Sequence, residues 1–333
     1  MKRILLIIVV ITTLVPGINQ TYGQNWKADL KVISEFYIQQ TEVNVSMIID
    51  LYHDGELIDP EPDPKRYNAA HWNGSEWKLK RITVEFRGNF ITPPLEGIYA
   101  FSSDDIWMVG SLPIHGDGEN WIMYDLRTTV DPNLSLSKAW GSSSNDMNFV
   151  GRAGSIAHYS GSSGGWQKIE SGTSAAIGNL YGTTSSEVYK ILAVASSTGD
   201  TRVLTLNSIK ASDTLDWSVD RRLRGIWFNN REVYVSGTGV WRNRNNIWEK
   251  MEGLPEHFYT GIRGSQVNNI FAVGWTVNLA HYNGINWKTI DEIPEEFNFE
   301  SVAVKAEIVI AIGFTSSGGV AGQAAITMGT LIK

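Results

Sequence analysis

The feature that most constrains this chain is a degenerate unit of about forty residues that recurs along it. Three copies are clearest. Residues 139–169 read AWGSSSNDMNFVGRAGSIAHYSGSSGGWQKI, residues 261–290 read GIRGSQVNNIFAVGWTVNLAHYNGINWKTI, and residues 97–125 read GIYAFSSDDIWMVGSLPIHGDGENWIMYD with small slips. Each is a short strand of apolar and small residues, an Asx or Ser turn, a strand ending in Val-Gly, a Gly or polar turn, a strand carrying His, and Gly-x-x-Trp opening a fourth strand. Two markers give the period independently. The Val-Gly glycines fall at Gly110, Gly151, Gly237, Gly274 and Gly313, with gaps of 41, 86, 37 and 39, the second being two periods with a marker lost. The fourth-strand tryptophans fall at Trp77, Trp121, Trp166, Trp217, Trp248 and Trp287, five gaps over 210 residues with a mean of 42.

A four-stranded unit every forty-odd residues, with turn signals every eight to twelve and no helical periodicity, predicts an all-β fold, a β-propeller of seven four-stranded blades, with six as the alternative count. The expected blades are 30–82, 97–126, 137–170, 178–219, 223–251, 260–290 and 299–333, all in one domain spanning 24–333. The last copy lacks a Trp strand and the first is irregular before Asn68-Ala-Ala-His-Trp-Asn-Gly-Ser-Glu-Trp77. Both ends are thus incomplete, and pairing of N- and C-terminal strands would close the ring and hide the open edges.

Met1-Lys2-Arg3 followed by the apolar run Ile4 to Val15 and Pro16-Gly17 has the order of a secretory signal peptide, residues 1–23, with cleavage near Gly23. The run is too short to span a bilayer, and no later stretch approaches the length needed. The expected product is an exported, periplasmic or extracellular monomer without a membrane span. With no cysteine in the chain, its stability must come from core burial rather than disulfides. Loss of Lys2 and Arg3 takes the net charge from −7 to −9, which disfavours nucleic acid as a partner. Asp59-Pro-Glu-Pro-Asp63-Pro reads as a stiff exposed loop. Gly116-Asp-Gly-Glu-Asn120 lacks the alternating ligands and closing glutamate of a calcium loop and reads as a turn, so neither metal nor cofactor is expected.

Residues that look chemical recur with the repeat. His71, His115, His158 and His281 share one third-strand position, and the fifth copy has Arg242 there, which a general base would not tolerate. A residue repeated around a ring is there because each blade needs it, so these histidines read as structural, bonded to a neighbouring turn. The six tryptophans read as packing between blades. Asp104, Asp105, Asn145, Asp146, Asn268 and Asn269 suit tight turns before the second strand. His53 and His257 are solitary. No catalytic residue is assigned. The positions least explained by the repeat are on the innermost strand, Tyr99, Trp140, Tyr181, Trp227 and Arg263, aligned with Ala303. They either face a ligand at the channel mouth or fill the wedge between blades. Trp275, where other copies have a polar turn residue, reads as exposed on a loop, with Arg242-Asn-Arg244 in a comparable turn.

The wording S-x-N-D-I-x-x-V-G-x-x-G-x-I-x-H-Y-x-G-x-x-W, with Tyr67-Asn-Ala-Ala-His-Trp-Asn-Gly, resembles exported propeller proteins of Bacteroidetes and Ignavibacteria that often carry the loose name glucosyl transferase. The resemblance spans the whole mature chain and implies an exported propeller. The transferase name implies a sugar-nucleotide site, yet there is no glycine-rich phosphate loop between strand and helix and no α/β pattern to hold one. Ser160-Gly-Ser-Ser-Gly-Gly-Trp166 is similar to the Asp-box of sialidase-type propellers, with Ser163 in place of the Asp. Two functions compete: a non-catalytic propeller that binds a protein or glycan through loops at one face, and a carbohydrate-active enzyme, transferase or glycosidase, at the channel mouth.

Overall fold

The computed structural model describes residues 8–10, 25–38, 68–72, 77–161, 165–183, 190–207, 211–215, 221–229, 231–275, 278–290, 297–305, 308–315 and 322–332. Apart from the strand Ile8–Val10, the signal-peptide segment lies outside them, as do the Asp59–Asp63 loop, His53 and Trp217.

The fold is an all-β propeller whose sheets follow the sequence repeat. Antiparallel four-stranded meanders are built from Leu136–Ser143, Asp146–Gly151, Ile156–Tyr159 and Trp166–Lys168; from Ala176–Thr183, Lys190–Ser197, Asp200–Leu206 and Ala211–Leu215; from Leu223–Phe228, Glu232–Gly237, Gly239–Arg244 and Ile247–Lys250; and from Tyr259–Gln266, Asn269–Gly274, Asn278–Tyr282 and Trp287–Thr289. The second copy, Gly97–Ser102, Asp105–Gly110, Leu112–Gly116 and Trp121–Met123, has the same order. The short segment Leu126–Thr129 is helical, a single turn between blades.

The last blade settles where the chain ends meet. Phe297–Lys305, Ile308–Thr315 and Gly322–Ile332 supply three strands, and Asn25–Ile38 supplies the outer one, antiparallel to the third. Pairing of terminal strands is therefore observed. Trp26 pairs with Leu331 near the end of the third strand, as Trp166 pairs with Tyr159 and Trp287 with Tyr282. Asn25-Trp-Lys and Asn286-Trp-Lys match, so the Trp strand missing from the final copy sits at the other end of the sequence. This corrects the expected first blade: residues 30–38 belong to the last one. Of the first copy, the described residues show Ala69–Trp72 and Trp77–Lys80, with Ile8–Val10 parallel to the former. Complete blades among the described residues number six, the alternative count, rather than the seven first expected.

The second blade carries an addition that the repeat did not predict. A hairpin, Val84–Phe86 and Asn89–Ile91, joins its outer edge, with Ile122 parallel to Glu85. Arg87 and Gly88, both at positive φ (52° and 79°), make the two-residue turn that suits a hairpin's twist.

The Val-Gly marker has a steric cause. A Cβ on Gly110, Gly151, Gly237, Gly274 or Gly313 would lie 1.6 to 2.4 Å from the carbonyl oxygen of Pro94, Ser135, Arg222, Phe258 or Asn298, respectively. The end of each second strand presses on the backbone entering the first strand of the same blade, and only glycine allows that approach. First strands also share a bulge near their start, at Ser137, Gly178, Arg224, Thr260 and Glu300.

By contacts the chain forms two compact units. One comprises Met1–Ile11, Thr41–Tyr52 and Glu56–Asp220; the other comprises Thr12–Gln40, His53–Gly55 and Arg221–Lys333. In the first, Trp107, Phe149, Met147 and Leu136 form a core between the second and third blades, joined by Trp166 and Tyr159. In the second, Phe271, Val273, Phe297, Phe299 and Val309 do the same for the sixth and seventh copies.

Candidate functional site

The repeated histidines are part of the framework. His115 Nε2 lies 2.8 Å from Asp105 Oδ1, His158 Nε2 lies 2.8 Å from Asp146 Oδ1, and His281 Nε2 lies 2.9 Å from Asn269 Oδ1. In each case the third strand is tied to the first residue of the second strand, two residues along from the residue opposite the imidazole. Gln167 on the fourth strand donates to His158 Nδ1 at 3.2 Å, so that ring bridges three strands. In the fifth copy Arg242 replaces the imidazole and bonds Glu249 on the fourth strand. Glu232, at the second strand's start, is 5 % exposed and accepts from Tyr234 Oη and Arg244. These bonds hold its carboxyl below the usual range against the opposing pull of burial. Arg242-Asn-Arg244 is therefore strand rather than turn, a correction to the sequence reading. His281, buried with its ring 4.6 Å from Phe271 at a tilt of 33°, has its pKa pushed down to about 4 by desolvation, which keeps it neutral.

One cluster combines the residue types of a catalytic triad: Asp105, His115 and, from the third blade, Ser144. Ser144 Oγ is 3.3 Å from His115 Nε2 and 2.7 Å from Asp105 Oδ1, and it accepts from the Trp107 indole at 2.9 Å. Serine and aspartate thus meet the same ring nitrogen. A relay needs the serine on one nitrogen and the acid on the other, so the cluster cannot pass a proton through the imidazole. It locks two blades together, with His115 stacked on Trp107 at 4.2 Å. Asp117 is a turn residue, accepting from the Glu119 and Asn120 amides at 2.9 and 2.6 Å. Bonds from the Asn120 side chain and backbone lower its pKa to about 2. Among the described residues, no three His, Asp or Glu side chains gather around a common point.

The tryptophans of the fourth strand pack as the repeat implies where their side chains are described. Trp166 lies 5.1 Å from Tyr124 and 6.0 Å from Trp107 of the preceding blade, and Trp121 joins the core of Ile106, Met108 and Ile114. Trp287 is 7 % exposed beside Tyr282. It lines a cleft of about 500 Å³ with Arg242, Glu249, Lys250 and Ile285, between the fifth and sixth copies.

The inner-strand positions are brought together in neighbouring pairs. Trp140 is 4 % exposed, and its indole covers Gly182 of the next blade, where a Cβ would sit 2.6 Å from the ring. Trp227, 2 % exposed, covers Gly264 in the same way at 3.0 Å. Of the two alternatives for these residues, filling the wedge between blades describes both. Tyr99 packs 6.2 Å from Trp140 and 5.2 Å from Phe101, and Tyr181 lies against the core of the third and fourth blades. Arg263 donates to the carbonyls of Ile226 (2.6 Å) and Ile262 (2.9 Å), tying the sixth inner strand to the fifth. A glycine one repeat beyond each buried Trp was the signal in the sequence that separated packing from display.

Trp275 is different. It is 44 % exposed and directly follows Gly274, a position that reads Ser111, Arg152, Thr238, Trp275 and Phe314 across the copies. Its backbone is held as in other blades, its amide donating to the Phe258 carbonyl at 3.3 Å as Arg152 donates to Ser135 and Thr238 to Arg222. Framework residues around it repeat, and only the side chain presented at this end varies. The ring is braced: Phe258 lies 5.6 Å away at 46°, and the indole Nε1 donates to Glu300 Oε1 at 2.5 Å. Glu300 occupies the bulge of the seventh copy's first strand, and bulges re-aim side chains.

Fold and site together define a propeller with a constant framework and variable loop-end residues. No family model matches the chain, and no curated protein matches it. Among solved structures it is similar to YCF48 bound to D1 peptide, with a TM-score of 0.60 and 16% identity over 96% of this chain and 100% of that one. It is also similar to YCF48 from Cyanidioschyzon merolae, with a TM-score of 0.55 and 14% identity over 92% and 98%.

Proposed function

We propose that this is an exported, non-catalytic β-propeller, monomeric, which binds a segment of a partner protein through loops at one end of its blades. The observation that carries this reading is Trp275. It is a large, braced aromatic side chain left 44 % exposed at a repeated position whose side chain differs from copy to copy, and such residues anchor protein interfaces. The polar groups that would suit chemistry, the His–Asp pairs and the Asp105–His115–Ser144 cluster, are occupied in holding strands and blades together. A structural neighbour bound to a peptide supports a protein segment over a small molecule as the class of ligand. Export rests on the leader-like N-terminus.

The test places a photo-crosslinking amino acid at position 275 and, as control, at Ile122, which is 65 % exposed on the second blade. The expected result is a protein adduct at 275 alone, whose segment binds the purified chain and loses affinity for Trp275→Ala. Binding of glycans instead of protein, or turnover of glycosides or activated sugars abolished by one carboxylate substitution, would overturn the reading. Recovery of the chain with Gln24 at or near its N-terminus outside the cytoplasm checks export.

A further inference from the structure

We infer that the partner segment carries an acidic side chain, aspartate or glutamate, which is taken by Arg222 and Arg224 where the chain enters the fifth copy. The inference rests on the protein-binding reading above and names the chemistry of the segment beside its anchor.

The bulge near the start of a first strand re-aims one side chain, and other copies use that side chain inside the framework. Ser137 Oγ donates to the Val150 carbonyl at 3.4 Å, Thr260 Oγ1 donates to the Phe299 carbonyl at 2.6 Å, and Glu300 accepts from Trp275 at 2.5 Å. Gly178 has no side chain to use. In the fifth copy the bulge residue is Arg224. It is exposed, and among the described residues it has no ion pair and no side-chain hydrogen bond. Arg222, on the other side of buried Leu223, is exposed and equally without a partner. A guanidinium is always charged and offers a planar fork of donors that fits a carboxylate. Two such groups, at an entry where other copies consume the side chain locally, are left for an acid from outside the chain.

The charge of this entry has the right sign. Asp220 to Arg224 holds three arginines and one acid, net +2, in a chain whose total is −7. Asp220 lies outside the described residues and enters only as charge. Of the acids in the sixth copy's connector, Glu256 is bonded to Lys250, and Arg221 also lowers its pKa. Arg263 and Lys288 of the sixth copy add base rather than acid. The acids of the seventh copy's connector, within 291–296, belong to an entry two copies on, lie outside the described residues and enter only as charge. An acidic group is therefore accepted at the fifth copy and disfavoured toward the seventh, which gives the bound segment a direction.

The arginines are continuous with Trp275. The Arg222 carbonyl accepts from the Thr238 amide at 2.9 Å, Thr238 bridges Phe258, and the Phe258 carbonyl accepts from the Trp275 amide at 3.3 Å. Three such steps between adjacent backbones span at most about 15 Å, four or five residues of extended chain. One short segment reaches both places.

The test is fluorescence anisotropy of labelled (Gly-Glu)₄, (Gly-Asp)₄, (Gly-Arg)₄ and (Gly-Ser)₄ peptides, and of a labelled eight-nucleotide oligothymidylate, against the full chain. Variants are Arg222→Ala, Arg224→Ala, the two combined, Arg222→Lys with Arg224→Lys, and Arg231→Ala. Arg231 is an exposed arginine in the turn at the other end of the same strand pair and serves as the charge-matched control. (Gly-Glu)₄ and (Gly-Asp)₄ are expected to bind, more weakly as salt rises. Each single alanine variant should weaken them about 2- to 5-fold and the double variant about 4- to 25-fold. The double lysine variant should fall between, since it keeps the charge and loses the fork. Arg231→Ala should change nothing. In the segment crosslinked at position 275, an aspartate or glutamate is expected within about five residues of the adduct. The inference is overturned if (Gly-Glu)₄ binds no better than (Gly-Ser)₄ or (Gly-Arg)₄, if the oligothymidylate binds more tightly than (Gly-Glu)₄, or if the double alanine variant with an unchanged circular dichroism spectrum binds like Arg231→Ala. Should the crosslinked segment still depend on Trp275 in any of those cases, this inference falls and the protein-binding reading stands. Absence of both the adduct and the acidic-peptide binding removes the two together.

Discussion

Trp140 and Gly182 provide a quantitative test of whether inner-strand aromatics are wedge filler. A methyl group on Gly182 would lie 2.6 Å from Cη2 and Cζ2 of the indole and 2.7 Å from Cε2, well inside contact distance, and the ring, 4 % exposed, has nowhere to retreat. Overpacking of this kind costs about 1–3 kcal/mol, so Gly182→Ala should lower the urea midpoint accordingly. Trp140→Ala opens a cavity and should cost about 3–5 kcal/mol. In the double variant the added methyl meets no ring. Its penalty should disappear, and relief of glycine's unfolded-state entropy turns it slightly favourable, by roughly 0.5 kcal/mol. The coupling energy is therefore expected at about 1.5–3.5 kcal/mol, read from denaturation followed by far-ultraviolet circular dichroism. Equal costs for Gly182→Ala in both backgrounds would refute the packing argument and return Trp140 to the residues available for a ligand.

Three further outcomes follow from the same geometry. His281 is held neutral with a pKa near 4 against an ordinary value near 6.5, so the stability it supports is complete above pH 6.5 and is lost as pH falls toward 4; His281→Gln should flatten that decline by about 2 kcal/mol when denaturant midpoints at pH 7 and pH 4.5 are compared, and an unchanged slope would contradict it. Tyr234→Phe removes a donor from Glu232, which is 5 % exposed, and should cost about 1–3 kcal/mol in chemical denaturation at pH 7; no loss would show that the bond is not holding the carboxylate. Removing residues 1–38 leaves the edge of Gly322–Ile332 open, so size-exclusion chromatography should show association or aggregation that a synthetic peptide of residues 25–38 reverses, and a monodisperse monomer would refute the terminal pairing.

The sequence by itself determined the blade. Strand alternation, Asx turns and the glycine at the end of each second strand are local requirements repeated about every forty residues, so they leave a periodic trace; the histidines and tryptophans repeat with them because each blade must tie its outer strands and cover its neighbour. The same periodicity marked Trp275 as an exception. What the tertiary structure decided depends on partners far apart in the chain, and these leave no periodic trace. Residues 25–38 pair with 322–332 because an open edge is satisfied by whichever strand reaches it, so the repeat spacing assigned 30–38 to the wrong blade. The hairpin at Val84–Ile91 attaches in parallel to the second blade for the same reason. Trp140 and Trp227 are buried because glycines forty residues on leave room for their rings, whereas Trp275 is displayed because Glu300, twenty-five residues away and turned by a bulge, holds it by its edge. Which aromatics are hidden and which one is shown is set by what packs against each ring, and packing is a property of three dimensions.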